Sequence, residues 1–247
     1  MPARSILPAN WEAPQVFRDR LGDRSGRQRA MASDGHLLLV LHAPPAADDQ
    51  QRLPRFFWRS PDGTWRSSQF GGGAGALQQH LEEYEKLLEQ YEVREHDATT
   101  SGEYFQVVLS LAPLVRAAHN LHHALADARK QLPEVRELIN FRDRAYDLER
   151  NADLLYADAK NALDYLIARQ SEAQAAASHR MAVSAHRLNV LAALFFPMVT
   201  LATIFGVNLH TGLEDALAPW PFLIVLGLGL FSGLVLAKTI TRPPRAP

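Results

Sequence analysis

LNVLAALFFPMVTLATIFGV, Leu188 to Val207, is a run of 20 residues without a charge. At 1.5 Å per residue a helix of that length covers about 30 Å, the thickness of a bilayer's hydrocarbon core. A second run, PFLIVLGLGLFSGLVLA from Pro221 to Ala237, adds 17 more residues. A hairpin of buried core helices in a soluble protein is the alternative, but two such runs rarely sit together in a soluble fold, so both read as transmembrane helices. Arg180 and Arg187 precede the first run, Lys238, Arg242 and Arg245 follow the second, and the connecting loop carries no Lys or Arg. The excess of basic residues on the inner side of a membrane then puts both termini in the cytoplasm and the short loop outside. Trp220 stands where an interfacial anchor belongs.

Working outward, the 247 residues hold 26 Lys+Arg and 27 Asp+Glu, and all but three of the basic and two of the acidic residues precede Leu188. The near-neutral total therefore averages a polar body with an apolar tail. The absence of cysteine excludes disulfides, thiol catalysis and Cys-ligated zinc. A body without a basic field gives nucleic acid no purchase. The N-terminal stretch MPARSILPANWEAPQ has no continuous apolar run, so a cleaved signal peptide is not expected. No Ser/His/Asp set, isolated carboxylate pair or phosphate loop stands out, and no enzyme activity or bound cofactor is expected.

Residues 1 to 35 show no sustained period and read mostly as loop. His36 to His42, HLLLVLH, reads as a buried strand. Arg55–Arg59 and Thr64–Ser68 flank Ser60-Pro61-Asp62-Gly63, which predicts a hairpin. Gly71-Gly72-Gly73 is followed by no Gly-Lys-Ser/Thr and reads as a linker. The period then turns helical. Leu77, Leu81, Tyr84, Leu88 and Tyr91 form a stripe, with Glu82 and Lys86 at i,i+4 on the surface. A second helix is expected from about Gly102 to Gln131, kinked or restarted at Pro113, with a strand over Tyr104–Leu109 as the alternative.

From Glu134 no Pro or Gly interrupts the chain until Pro197. One apolar row is Leu138, Ala145, Ala152, Ala159, Leu166 and Ala173. The other is Phe141, Leu148, Leu155, Ala162, Ala176, Val183 and Val190, broken by Arg169. This a/d seam predicts a stalk helix of 72 residues, Glu134 to Phe205, about 108 Å long, running into the first span. The seam is expected to pack on other subunits, with an antiparallel coil inside one chain as the alternative.

Four residues of the first span, Asn189, Phe196, Thr200 and Thr203, share one helical face. Polar groups in a span face protein or water rather than lipid, so this face either lines a pore or bonds to a neighbouring helix. His119 and His123, four apart on a helix, could share a metal, although a solvated polar face is the simpler reading.

Gly206-Val207-Asn208 closes the first span, ahead of a loop holding Glu214 and Asp215. The string FFPMVTLATIFGVN, a short acidic loop and an aromatic-Pro start to the next span together resemble the CorA-type magnesium transporters. This two-transmembrane Gly-x-Asn family includes a zinc-transporting branch. The resemblance implies a funnel-like homopentamer in a prokaryotic inner membrane, with first spans around a central pore and second spans, against lipid, outside. It places Gly206, Val207 and Asn208 at the selective pore mouth, Glu214 and Asp215 as cation attractors, and Phe196 at a hydrophobic constriction. The ion implied is Mg²⁺ or a related divalent cation such as Zn²⁺, Co²⁺ or Ni²⁺. Val207 stands where magnesium transporters of the family have Met, and Val199 where a Thr is common. The cytoplasmic body is short for the family. These departures motivate an alternative, a non-conducting pentameric scaffold or regulator.

The expected architecture is thus an α-helical membrane protein with a small α/β cytoplasmic domain. Its parts are a reduced α/β domain (1–133), a stalk (134–187), the first span (188–208), the outer loop (209–220), the second span (221–240) and a cytoplasmic tail (241–247).

Overall fold

The computed structural model describes residues 6–45, 52–206 and 219–240. Two compact units divide the chain, Met1–Ala168 and Arg169–Pro247. The first is built on an antiparallel meander of β1 (Arg29–Ser33), β2 (His36–His42), β3 (Pro54–Arg59) and β4 (Trp65–Ser67), adjacent in chain order. Leu39 pairs with Ala30 on one side and Phe57 on the other, which fixes the register of the central strands.

Strand β2 is apolar along its whole length because both of its faces are covered. Leu37, Leu39 and Leu41, with Phe57 and Trp65, meet the helices. Leu38 and Val40, with Phe56 and Trp58, meet Leu7, Trp11 and Phe17 from the N-terminal segment. That segment is more ordered than its lack of period suggests. It contains α1 (Gln15–Asp19) and leads into β1, and Phe17 is fully buried. The turn from β1 to β2 is Asp34-Gly35, with φ of 51° and 75°. Positive φ at both positions is the two-residue hairpin geometry that matches strand twist. The Ser60–Gly63 turn is built as expected. Asp62 accepts hydrogen bonds from the Ser60 hydroxyl, the Thr64 amide and the Thr64 hydroxyl.

Helix α2 (Gly75–Asp97) buries the stripe Leu77, Leu81, Tyr84, Leu88 and Tyr91. On its outer face Glu82 takes a hydrogen bond from Gln78, at 3.1 Å. Helix α3 (Ser101–Gln131) begins at a capping box. Thr100 accepts from the Glu103 amide while the Glu103 carboxylate accepts from the Thr100 amide. It runs through Pro113 without restarting, so the strand reading of Tyr104–Leu109 is excluded. The next helix starts three residues later than the expected Glu134. Residues 132–136 make a turn, and α4 (Glu137–Gly206) starts with Glu137 accepting from Trp65 Nε1 (2.8 Å) and Arg59 Nε (3.1 Å).

The seam of α4 changes partner along its length. Leu138, Phe141, Ala145, Leu148, Ala152, Leu155 and Ala159 are buried in the core that α2 and α3 share with the sheet. This half behaves as the antiparallel packing within one chain. Further on, Ala173, Ala176 and Val183 are exposed among the described residues.

The second unit holds the rest of α4 and α5 (Trp220–Ile240). Both helices are long and apolar enough to cross a membrane. None of the apolar window of α4, and 11% of that of α5, is buried, which is the opposite of a soluble core hairpin. They pack on each other at two glycines four residues apart. A Cβ on Gly233 would stand 2.6 Å from the Leu194 carbonyl oxygen, and one on Gly229 3.1 Å from the Met198 Cα. Small residues at this spacing let helix backbones approach closely in a membrane.

Candidate functional site

Helix α5 occupies one side of α4, the side bearing Leu194 and Met198. At about 100° per residue, Asn189, Phe196, Thr200 and Thr203 gather on the other side, centred about 190° away. All four are exposed, Phe196 to 74%. The face that the sequence singles out is therefore part of the surface that α5 leaves uncovered, which also includes Leu191, Phe195 and Val199.

The two hydroxyls on this face are committed in a particular way. Thr200 donates to the Phe196 carbonyl and Thr203 to the Val199 carbonyl, each at 2.8 Å. A threonine hydroxyl that has given its hydrogen to the preceding turn keeps its lone pairs for the open side. It then acts as an acceptor, the role that suits water protons around a cation. Pro197, three residues before Thr200, has no amide hydrogen and leaves the Ala193 carbonyl without its helical donor. Helix α4 ends at Gly206, and Val207, Asn208, Glu214 and Asp215 lie outside the described residues.

His119 and His123 do come together, with ring centroids 4.4 Å apart. The partner that chain spacing could not show is Glu149, on α4. One of its oxygens is 2.5 Å from His119 Nδ1, and the other meets His122 Nδ1. Asp127, the carboxylate nearest in sequence, is instead 3.5 Å from Lys130. Among the described residues no group of three or more His, Asp or Glu is arranged to hold a metal ion.

A second polar cluster lies inside the first unit, where the sheet meets α2. Arg55 of β3 reaches Glu83 at 2.6 Å, Gln69 at 2.8 Å and His80 Nδ1 at 3.0 Å. His80 is completely buried, and burial, with the positive charge of Arg55 second, pushes its imidazole down to about 3. His42 is buried at the end of β2, and burial, then the charge of Arg52, lowers it as well. Tyr84 bridges the two elements by donating to the His42 carbonyl at 3.0 Å, and burial raises its phenol above the ordinary range.

The family described as CorA-like Mg²⁺ transporter protein matches residues 74–242, more than half of the chain. The chain belongs to that family, and with its two exposed apolar helices it is a membrane protein. Among solved structures it is similar in fold to the full-length CmaX protein, with a TM-score of 0.55 and 12% identity. That match covers 95% of this chain and 83% of the other. A CorA magnesium transporter from Methanocaldococcus jannaschii also matches, at TM-score 0.38 and 14% identity over 91% of this chain and 81% of that one. A search of curated proteins finds no match.

Proposed function

We propose that the chain conducts divalent cations across the membrane as a homopentamer, with the open face of α4 lining a central pore. The observation that carries this reading is the division of α4 into two sides. One is filled by α5 at Leu194 and Met198, and the other presents Asn189, Phe196, Thr200 and Thr203, exposed among the described residues. A pentameric ring turns that free side inward and leaves α5 toward lipid. Phe196 then forms an apolar constriction, and Thr200 and Thr203 accept hydrogen bonds from the ion's water shell. Magnesium gives up its water reluctantly, so acceptors placed for a hydrated ion suit it. Asn208 supplies one carboxamide per subunit at the outer mouth beside Gly206 and Val207. Glu214 and Asp215 raise the local cation concentration there.

In the same reading the sheet domain (1–133), stalk (134–187) and tail (241–247) are cytoplasmic, in an inner membrane, and the loop 209–220 faces outward. The membrane potential drives inward movement, worth about 2.3 kcal/mol per charge per 100 mV and twice that for a divalent ion. Flux into liposomes with Mg²⁺, Zn²⁺, Co²⁺ and Ni²⁺ tests the proposal, comparing the native protein with Asn208→Ala. Native flux that falls at least tenfold in the variant supports it. Absence of flux for every ion favours the non-conducting scaffold instead.

A further inference from the structure

We propose that His42 and His80 form a proton-operated catch: the sheet stays docked on α2 while both imidazoles are neutral, and acid releases it. The tautomer of His80 follows from its neighbour. A guanidinium can only donate, so the 3.0 Å contact from Arg55 makes Nδ1 of His80 an acceptor and puts the ring hydrogen on Nε2. That Nε2 is buried without a hydrogen-bond partner. Protonating Nδ1 would break the Arg55 contact and set two cations side by side. The ring has nowhere to turn, enclosed by Phe57 at 5.3 Å and Tyr84 at 5.4 Å between centroids.

His42 repeats the arrangement on the strand side. Both of its ring nitrogens are buried with no partner at full hydrogen-bond geometry, and the Gly26 backbone opposes the shift, less than burial and Arg52 act for it but more than Arg29 does. The charged and titratable groups facing the pair come from every element around it. Arg55 and Arg52 approach from β3 and the residues before it, and Arg29 from β1. Glu83 and Tyr84 come from α2, and Arg116 of α3 lines the cavity next to His42. Glu83, the one acid among these, is already held by Arg55. Among the described residues, a proton arriving on either ring thus finds cations and no free carboxylate.

The sign follows from linkage. Both groups are depressed in the folded protein, so their contribution is full above the ordinary imidazole value and is lost as pH falls toward the folded one. An exposed imidazole at pH 5 is protonated about 30 to 1, so His80, held at about 3 in the folded protein, weights the open form by about that factor, and His42 adds to it in the same direction. Release also touches the stalk, because Tyr84 and Leu88 of α2 share a packing site with Leu148 and Ala152 of α4.

The test is hydrogen exchange of the full-length protein in detergent at pH 7.5 and pH 5.0, corrected for the intrinsic pH dependence of exchange. The opening equilibrium of β2, β3 and α2 is expected to rise between about 30-fold and about 1000-fold in the native protein. His80→Gln is expected to remove at least a tenfold share of that rise, and His42→Gln with His80→Gln to abolish it. Taking the ratio of two pH values within each variant cancels any general destabilisation. A flat native response, or a double variant that keeps the full rise, overturns the proposal. Should the variants not fold, the imidazole proton resonances of the native protein decide. His80 should stay in the neutral form down to pH 5 and His42 should titrate below the ordinary imidazole value, and titration of all ten histidines near 6.5 contradicts the catch.

Discussion

Single residues in this protein matter most where one atom would change the fit. Gly233 has no room for a methyl group, since the nearest obstacle is the Leu194 carbonyl, a backbone atom that cannot rotate away. Gly227, in the same helix, meets nothing within 4 Å. Gly233→Ala is therefore expected to lower the midpoint of thermal unfolding in detergent, while Gly227→Ala leaves it within error. Phe17 fills the outer face of the sheet, and Phe17→Ala is expected to cost about 3–5 kcal/mol by denaturant unfolding of the body. Asp62 illustrates a pH effect at the surface. Hydrogen bonds from Ser60 and then from Thr64 hold its carboxyl at about 2. A depressed carboxylate stabilises above its unfolded value and loses that effect as pH falls. Exchange at the β3–β4 turn should accordingly quicken between about pH 4 and pH 2 beyond the intrinsic trend, and Asp62→Ala should remove the difference.

Elements were legible in the sequence where their period and punctuation are local. HLLLVLH and Ser60–Gly63 specify strand and turn within a few residues, and the α2 stripe runs through five positions. What sequence alone hid depends on partners far along the chain. The β1 strand, RAMAS, has small side chains that give little alternation, although Asp34-Gly35 was a hairpin signal in plain view. Trp11 and Phe17 are isolated aromatics in a polar stretch, and their burial is defined by Trp58 and Leu38 on the sheet. Glu149 lies 30 residues from His119 on another helix. The α4 seam was visible, but heptad spacing does not say which helix fills it. Its first half is closed by α2 and α3 of the same chain. Ala152→Leu is expected to overpack that seam and cost about 1–3 kcal/mol, read by thermal or denaturant unfolding. Thr100→Ala, which removes one half of the α3 capping box, should cost about 1 kcal/mol in the same assay.

The whole molecule combines a body that closes its own core with a membrane pair that does not. Exposed Ala173, Ala176 and Val183 and the free face of α4 are left for copies of the chain in the proposed ring. A detergent-solubilised complex should accordingly have a protein mass of five chains of 27.5 kDa each, measured by light scattering with detergent subtracted. A monomer at working concentration would contradict the ring. Because the chain has no cysteine, the pore-facing side can be probed one thiol at a time. The most direct measurement is divalent-cation flux in liposomes for Thr203→Cys and Met198→Cys, before and after a water-soluble thiol reagent. The expected result is flux through both variants and block of Thr203→Cys alone. No flux in the native protein, or equal block of the two variants, would contradict a pore lined by the free face of α4.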